Sequence, residues 1–82
     1  MSQVSVRLFA AAAEAFGDSS TEVTGVTDLA GLVDRLSEAR PGKLPAILVQ
    51  CSFFVNGEHR TSLQDPVPDG CRVDVLPPFA GG

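Results

Sequence analysis

The 82-residue chain has no Trp, no Tyr, one Met, one His and two Cys. A core without the two largest aromatics has to rest on Val, Leu, Ile, Ala and the five Phe. One histidine does not make a metal site, and Cys51 and Cys71 lack the CxxC spacing of a zinc or dithiol motif. Two unpaired thiols fit a reducing compartment, so a cytoplasmic location is expected. Basic residues are also few. Arg7, Arg35, Arg40, Lys43, Arg60 and Arg72 stand against ten acidic residues, giving a net charge of −4. They form no run or stripe, which excludes the phosphate-neutralising surface on which nucleic-acid binders depend. Long apolar runs are missing too. The stretch from Ala46 to Val55 is interrupted by Gln50 and Ser52 and is too short to span a bilayer. The N-terminus has no basic region ahead of its apolar residues, and Arg7 sits among them, unlike a signal peptide. Neither a nucleic acid nor a membrane is an expected partner.

With 44% hydrophobic and 20% charged residues, the composition is that of a folded domain rather than a disordered chain. At this length there is room for one core and little room for a deep pocket with a full catalytic set. The chain is expected to act on or within a partner, and not as an enzyme alone.

Val4, Val6 and Leu8 alternate with Ser5, Arg7 and Phe9, the period-2 pattern of a strand with one buried face. Ala10 to Phe16 predicts a short helix that Gly17 and Asp18 end. Thr21 to Thr24 suits a short strand closed by Gly25. Thr27 is the expected N-cap of a main helix, with Asp28 in its first turn. Leu29, Leu32, Val33 and Leu36 then recur at i, i+3, i+4 and i+7, and Pro41-Gly42 stops the stripe. Leu44 to Gln50 reads equally as a helical turn or a strand. Cys51 to Val55 is a strand, Asn56-Gly57 a turn, Glu58 to Ser62 a short strand and Arg72 to Leu76 the last. The expectation is an α+β domain over residues 1–76, a sheet of about four to five strands crossed on one face by one main helix. Residues 77–82 form an extended tail.

That tail, Pro77-Pro78-Phe79-Ala80-Gly81-Gly82, is the informative feature. Glycine is about a tenth of the chain, so a terminal pair arises by chance in roughly one such sequence in a hundred. A chain end without a role is the plain alternative. Without Cβ atoms, Gly81 and Gly82 can thread a narrow channel and deliver a carboxylate into another protein's active site. The proline pair pre-sets an extended backbone, and six residues reach about 20 Å.

The stretches VRLFAAAAEAFG, VNG, DG and PPFAGG together resemble the ubiquitin-like, β-grasp sulfur-carrier family. The likeness spans essentially the whole chain and is strongest to the small, sulfur-carrying subunit of molybdopterin synthase, for which the PP-x-x-GG ending is typical. The resemblance implies a β-grasp fold with a mixed sheet. It also implies that a ubiquitin-activating-like adenylyltransferase uses ATP to adenylate Gly82, with Gly81 threading beside it, and that a persulfide donor then leaves a thiocarboxylate. The resemblance further implies that the chain itself binds no cofactor and that the large synthase subunit supplies the acid, base and phosphate-binding groups. The same resemblance leaves open a carrier for thiamine thiazole, cysteine or tRNA thiolation, a ubiquitin-like modifier joined to lysines, or a binding module whose tail does nothing.

In a β-grasp sheet the first and last strands lie parallel and adjacent. Strand parity then puts Phe9, Leu76 and, if Phe53 and Val55 face the core, Phe54 on the open face near the tail. Three large apolar groups there are expected to dock partners, together with Pro77, Pro78, Phe79 and Ala80. Cys51 and Cys71, placed near opposite ends of antiparallel strands, are expected to be inert small hydrophobes. His59 is expected to be a solvated surface residue, and Asp65 and Asp69 to serve turns rather than a cation.

Overall fold

The computed structural model describes residues 3–78. Its elements are β1 (Gln3–Leu8), α1 (Ala10–Phe16), β2 (Ser20–Thr24), α2 (Leu29–Ala39), α3 (Leu44–Gln50), β3 (Ser52–Val55), β4 (Glu58–Arg60) and β5 (Arg72–Leu76). The five strands form one mixed sheet in the order β2-β1-β5-β3-β4, with β1 and β5 parallel and the other pairs antiparallel. This is the β-grasp arrangement.

The period-2 reading of β1 holds: Val4, Val6 and Leu8 are buried and Gln3, Ser5 and Arg7 exposed. Val73 and Val75 of β5, Phe53 and Val55 of β3, and Val23 of β2 complete the inner face. Against it pack Ala12 and Phe16 of α1, Leu29, Leu32 and Leu36 of α2, and Leu44 and Leu48 of α3. No polar or charged side chain among the described residues is buried. Removal of apolar area from water therefore supplies the main drive to fold.

Two local signals act as read. Gly17 ends α1 in the left-handed region at φ 93, its N–H donating to the Ala13 carbonyl at 2.8 Å. Asn56 and Gly57, at φ 50 and 85, form the two-residue turn that joins β3 to β4.

Two others resolve differently. Leu44 to Gln50 is helical: Leu44 and Leu48, four apart, are both buried, while Val49 is 83% exposed. A strand would have buried alternate residues instead. The N-cap of α2 is Asp28 and not Thr27; its side chain accepts from the Gly31 N–H at 2.8 Å. The shift has a tertiary cause. The loop after β4 holds the entry to α2 extended, with the Leu29 N–H donating to the Asp65 carbonyl and the Val67 N–H to the Thr27 carbonyl. Asp28→Ala is therefore expected to lower unfolding stability by about 1 kcal/mol. Thr27→Ala should cost at most about 0.5 kcal/mol, as at an ordinary surface site. Urea titration of the two variants checks the assignment, and equal losses contradict it.

Candidate functional site

The helices cover one face of the sheet. On the other, strand parity lines up Arg7, Asp74, Phe54 and His59 across β1, β5, β3 and β4, since Arg7 pairs with Asp74, Asp74 with Phe54, and Phe54 with His59. The Arg7 guanidinium grips the Asp74 carboxylate with two donors, Nε to Oδ1 at 3.0 Å and Nη2 to Oδ2 at 3.2 Å. Arg72 Nε approaches the same Oδ1 at 3.5 Å. The contact with Asp74 pushes the Arg7 pKa further up from its ordinary value. Arg7 also lies over the Phe9 ring, 5.6 Å from its centroid.

The three apolar residues expected on this face all lie outside the core. Phe9 is 37% exposed, and Phe54 and Leu76 are half-buried. Phe9 is held beside β5 by its N–H, which donates to the Val75 carbonyl at 3.2 Å. Continuing the parallel register by one residue sets Phe9 alongside Leu76. Leu76 pairs with Ser52, so Phe54 is its diagonal neighbour on the same face. Leu76 therefore joins a Phe9 lobe to a Phe54 lobe, and the Arg7–Asp74 pair flanks the junction.

Charge on this face is balanced. Arg7 and Arg72 are matched by Asp74 and by Glu22, which pairs with Ser5 and accepts from Gln3 Nε2 at 2.8 Å. The net charge of −4 therefore belongs to the rest of the molecule. A neutral face with apolar lobes can approach a partner without the repulsion that the rest of the surface would create.

Pro77, expected among the docking residues, is buried, so it packs into the body instead of being offered to a partner. The first exposed residue after β5 is Pro78. Phe79, Ala80, Gly81 and Gly82 lie outside the described residues.

His59 was not among the expected docking residues, yet its ring stacks on Phe54 with centroids 5.0 Å apart and planes at 27°. It extends the Phe54 lobe to the sheet edge. The sequence does contain the signal for this. A two-residue turn at Asn56-Gly57 pairs Val55 with Glu58 and hence Phe54 with His59.

The cysteines lie near opposite ends of the β3–β5 pair, and both are free. The Cys51 thiol donates to the Ile47 carbonyl at 3.2 Å, and burial pushes its pKa up to about 11. Burial raises the Cys71 thiol as well. Neither is an activated nucleophile, because reactivity follows the thiolate. Thiolate absorbance of Cys51 should stay silent through neutral pH and reach its half-point near pH 11. A raised folded pKa means the folded state holds its proton where the unfolded thiol has lost it. This thiol's contribution to stability is thus complete below the unfolded value and declines from there up to about pH 11. A half-point near the ordinary value of about 8.5 contradicts this placement.

Asp65 caps its own turn, whereas the Asp69 carboxylate ties its loop to the start of β1, 66 residues away. Asp65 accepts from the Ser62 N–H at 3.4 Å, and Asp69 from the Gln3 N–H at 2.7 Å. Among the described residues no three His, Cys, Asp or Glu side chains gather to hold a metal. No helix among them is long and apolar enough to cross a membrane.

Comparison with known proteins agrees with this geometry. The model of the ThiS family matches residues 6–82. No curated protein matches the sequence. Among solved structures, the putative molybdopterin converting factor subunit 1 of Pyrococcus furiosus superposes with a TM-score of 0.84 at 20% identity, covering 96% of this chain and 100% of that one. The small archaeal modifier protein 1 of H. volcanii gives 0.81 at 22%, with 96% and 100% covered. The complex of subunits 1 and 2 of molybdopterin-converting factor from Helicobacter pylori gives 0.72 at 28%, with 98% and 99% covered.

Proposed function

The chain belongs to the ThiS family, and on that premise we propose that it carries sulfur on the carboxylate of Gly82 and donates it in molybdopterin formation. The observation that carries the proposal is the extent of the family match, which runs through the terminal Gly81-Gly82. In this reading the chain offers its terminus while its partners supply the acid–base groups.

The chemistry follows from the weakness of a carboxylate as an electrophile. A ubiquitin-activating-like adenylyltransferase joins Gly82 to AMP, releasing pyrophosphate from ATP. The terminal sulfur of a persulfide attacks the acyl carbon and AMP leaves. A thiol then cleaves the S–S bond, forming a disulfide with the donor and freeing the thiocarboxylate. Its sulfur, far more nucleophilic than a carboxylate oxygen, attacks a side-chain carbon of a cyclic pyranopterin phosphate held by a large subunit. The C–O bond at that carbon breaks, its oxygen leaving with the phosphate as the ring opens. A second thiocarboxylated chain delivers the second sulfur of the dithiolene, displacing an oxygen as water. Water next cleaves the acyl–sulfur bond, returns Gly82 to the carboxylate and leaves the sulfur on the pterin.

Docking falls to Phe9, Phe54, Leu76 and His59 on the open face, with Pro78, Phe79 and Ala80 leading to the reactive end. The Helicobacter pylori protein, of which this chain covers 99%, is seen with a second subunit, which supports a large-subunit partner here. The acceptor is tested by mixing the thiocarboxylated chain with a large subunit and the cyclic pterin precursor. Formation of the dithiolene pterin, matched by loss of the thiocarboxylate, is the expected result. Sulfur transfer only to a thiazole precursor, to cysteine biosynthesis or to tRNA assigns the chain to another pathway. Attachment of the whole chain to lysines makes it a modifier.

A further inference from the structure

On the helix side of the sheet, at its β4 edge, a groove of about 380 Å³ runs between α2, α3 and the chain that leaves β4. Leu29, Leu48 and Phe53 contribute apolar lining, and the lining also includes Val49, 83% exposed, and Leu63, 46% exposed. Two aliphatic side chains facing water around an apolar recess are a liability unless something covers them.

The backbone beside the groove is also unpaired. β4 is the last strand of the sheet. The tight turn makes Val55 and Glu58 a hydrogen-bonded pair, and Phe53 and Arg60 the next one. The N–H and C=O of His59 therefore point away from β3, towards an empty edge. The third feature is Arg60, which lines the same groove. Its Nη2 donates to Glu58 Oε1 at 2.9 Å, while its Nε is closed off from water and has no acceptor among the described residues. An N–H desolvated without a partner is costly, and an incoming acceptor removes that cost.

We propose that this groove docks an extended segment of a partner protein that adds to β4 through His59. The segment places an aliphatic side chain against Val49 and Leu63 and, two residues away on the same side, a carboxylate on Arg60. Residues two apart in an extended segment share a side, which fixes the spacing. A carboxylate can take Nε and one Nη side by side, supplying the acceptor that Nε lacks once the half-exposed side chain turns outward. Main-chain pairing at a sheet edge gives such a segment its affinity, and the groove its selectivity. A second copy of this chain fits less well. β4 is three residues long, a β4-to-β4 contact would share the single His59 pair, and each copy carries −4. The groove lies across the sheet from Phe54. The segment shares with the open face only His59, whose backbone it pairs with and whose ring stacks on Phe54. It leaves Phe9 and Leu76 uncovered, so the inference does not rest on the sulfur chemistry.

The test titrates the 15N-labelled full chain with two blocked peptides, acetyl-Thr-Leu-Thr-Asp-Thr-amide and the same peptide with Lys for Asp, followed by NMR. The Asp peptide is expected to shift the amides of Val49, His59 and Leu63 and the Nε–H of Arg60 saturably, and to bind about tenfold tighter than the Lys peptide. Arg60→Gln should bring the two peptides to within about twofold of each other. Equal binding of both peptides to the unchanged chain overturns the proposal, as does the absence of any saturable shift. So do shifts confined to Phe9, Phe54 and Leu76. Shifts of the groove residues that grow with protein concentration before peptide is added assign the edge to a second copy, and also overturn it.

Discussion

Deletion of Gly82 abolishes sulfur loading and leaves the melting temperature of the domain unchanged. The same result is expected when one residue that is not cleaved is added after it. Only the terminal carboxylate can be adenylated, and it must meet the ATP held by the activating partner. One residue more or less displaces it by about 3.5 Å, and a misplacement of even about 1 Å can cost two orders of magnitude in rate. The fold should be indifferent, because among the described residues the buried hydrophobic cluster runs from Val4 to Val75, well before Gly82. Loading is read as formation of the C-terminal thiocarboxylate with the activating partner, ATP and a persulfide donor. Full loading of an extended chain contradicts the mechanism.

The second large effect is expected on the open face. Phe54→Arg should weaken binding to the activating partner and to the large subunit by about 2 kcal/mol or more, roughly thirtyfold in Kd. Unfolding stability should change by less than about 1 kcal/mol. Phe54 is half-buried against His59 and lies outside the core, so a charge there can reach water in the free protein but not beneath a docked partner. Leu76→Arg tests the same lobe from β5. Titration calorimetry and thermal melts separate the outcomes. A variant that unfolds while its folded fraction binds normally would make Phe54 a structural residue.

The sequence displays the parts of this architecture that local physics determines. Alternation in β1, the stripe of Leu29, Leu32 and Leu36, and the glycine turns each depend on residues close in the chain. Elements set by distant residues are less legible. α3 is seven residues long, too short for periodicity to separate helix from strand. The cap of α2 moves from Thr27 to Asp28 because Asp65 and Val67, far along the chain, hold its entry. The open face follows the same division. Phe9, Phe54 and Leu76 come from strand parity, and His59 was within reach through the register of the tight turn. The Arg7–Asp74 pair joins residues 67 apart across a parallel register that no local signal encodes. Burial of Pro77 likewise depends on what surrounds the end of β5, not on the proline pair itself.

The central claim is that Gly82 carries sulfur, and the most direct measurement is the intact mass of the protein isolated from its own cells under sulfur-replete growth. The account predicts a species in which one oxygen is replaced by one sulfur, located by fragmentation to Gly82 and lost when the thiocarboxylate is hydrolysed. An unmodified mass under every sulfur condition, or an added mass the size of a second polypeptide, contradicts it.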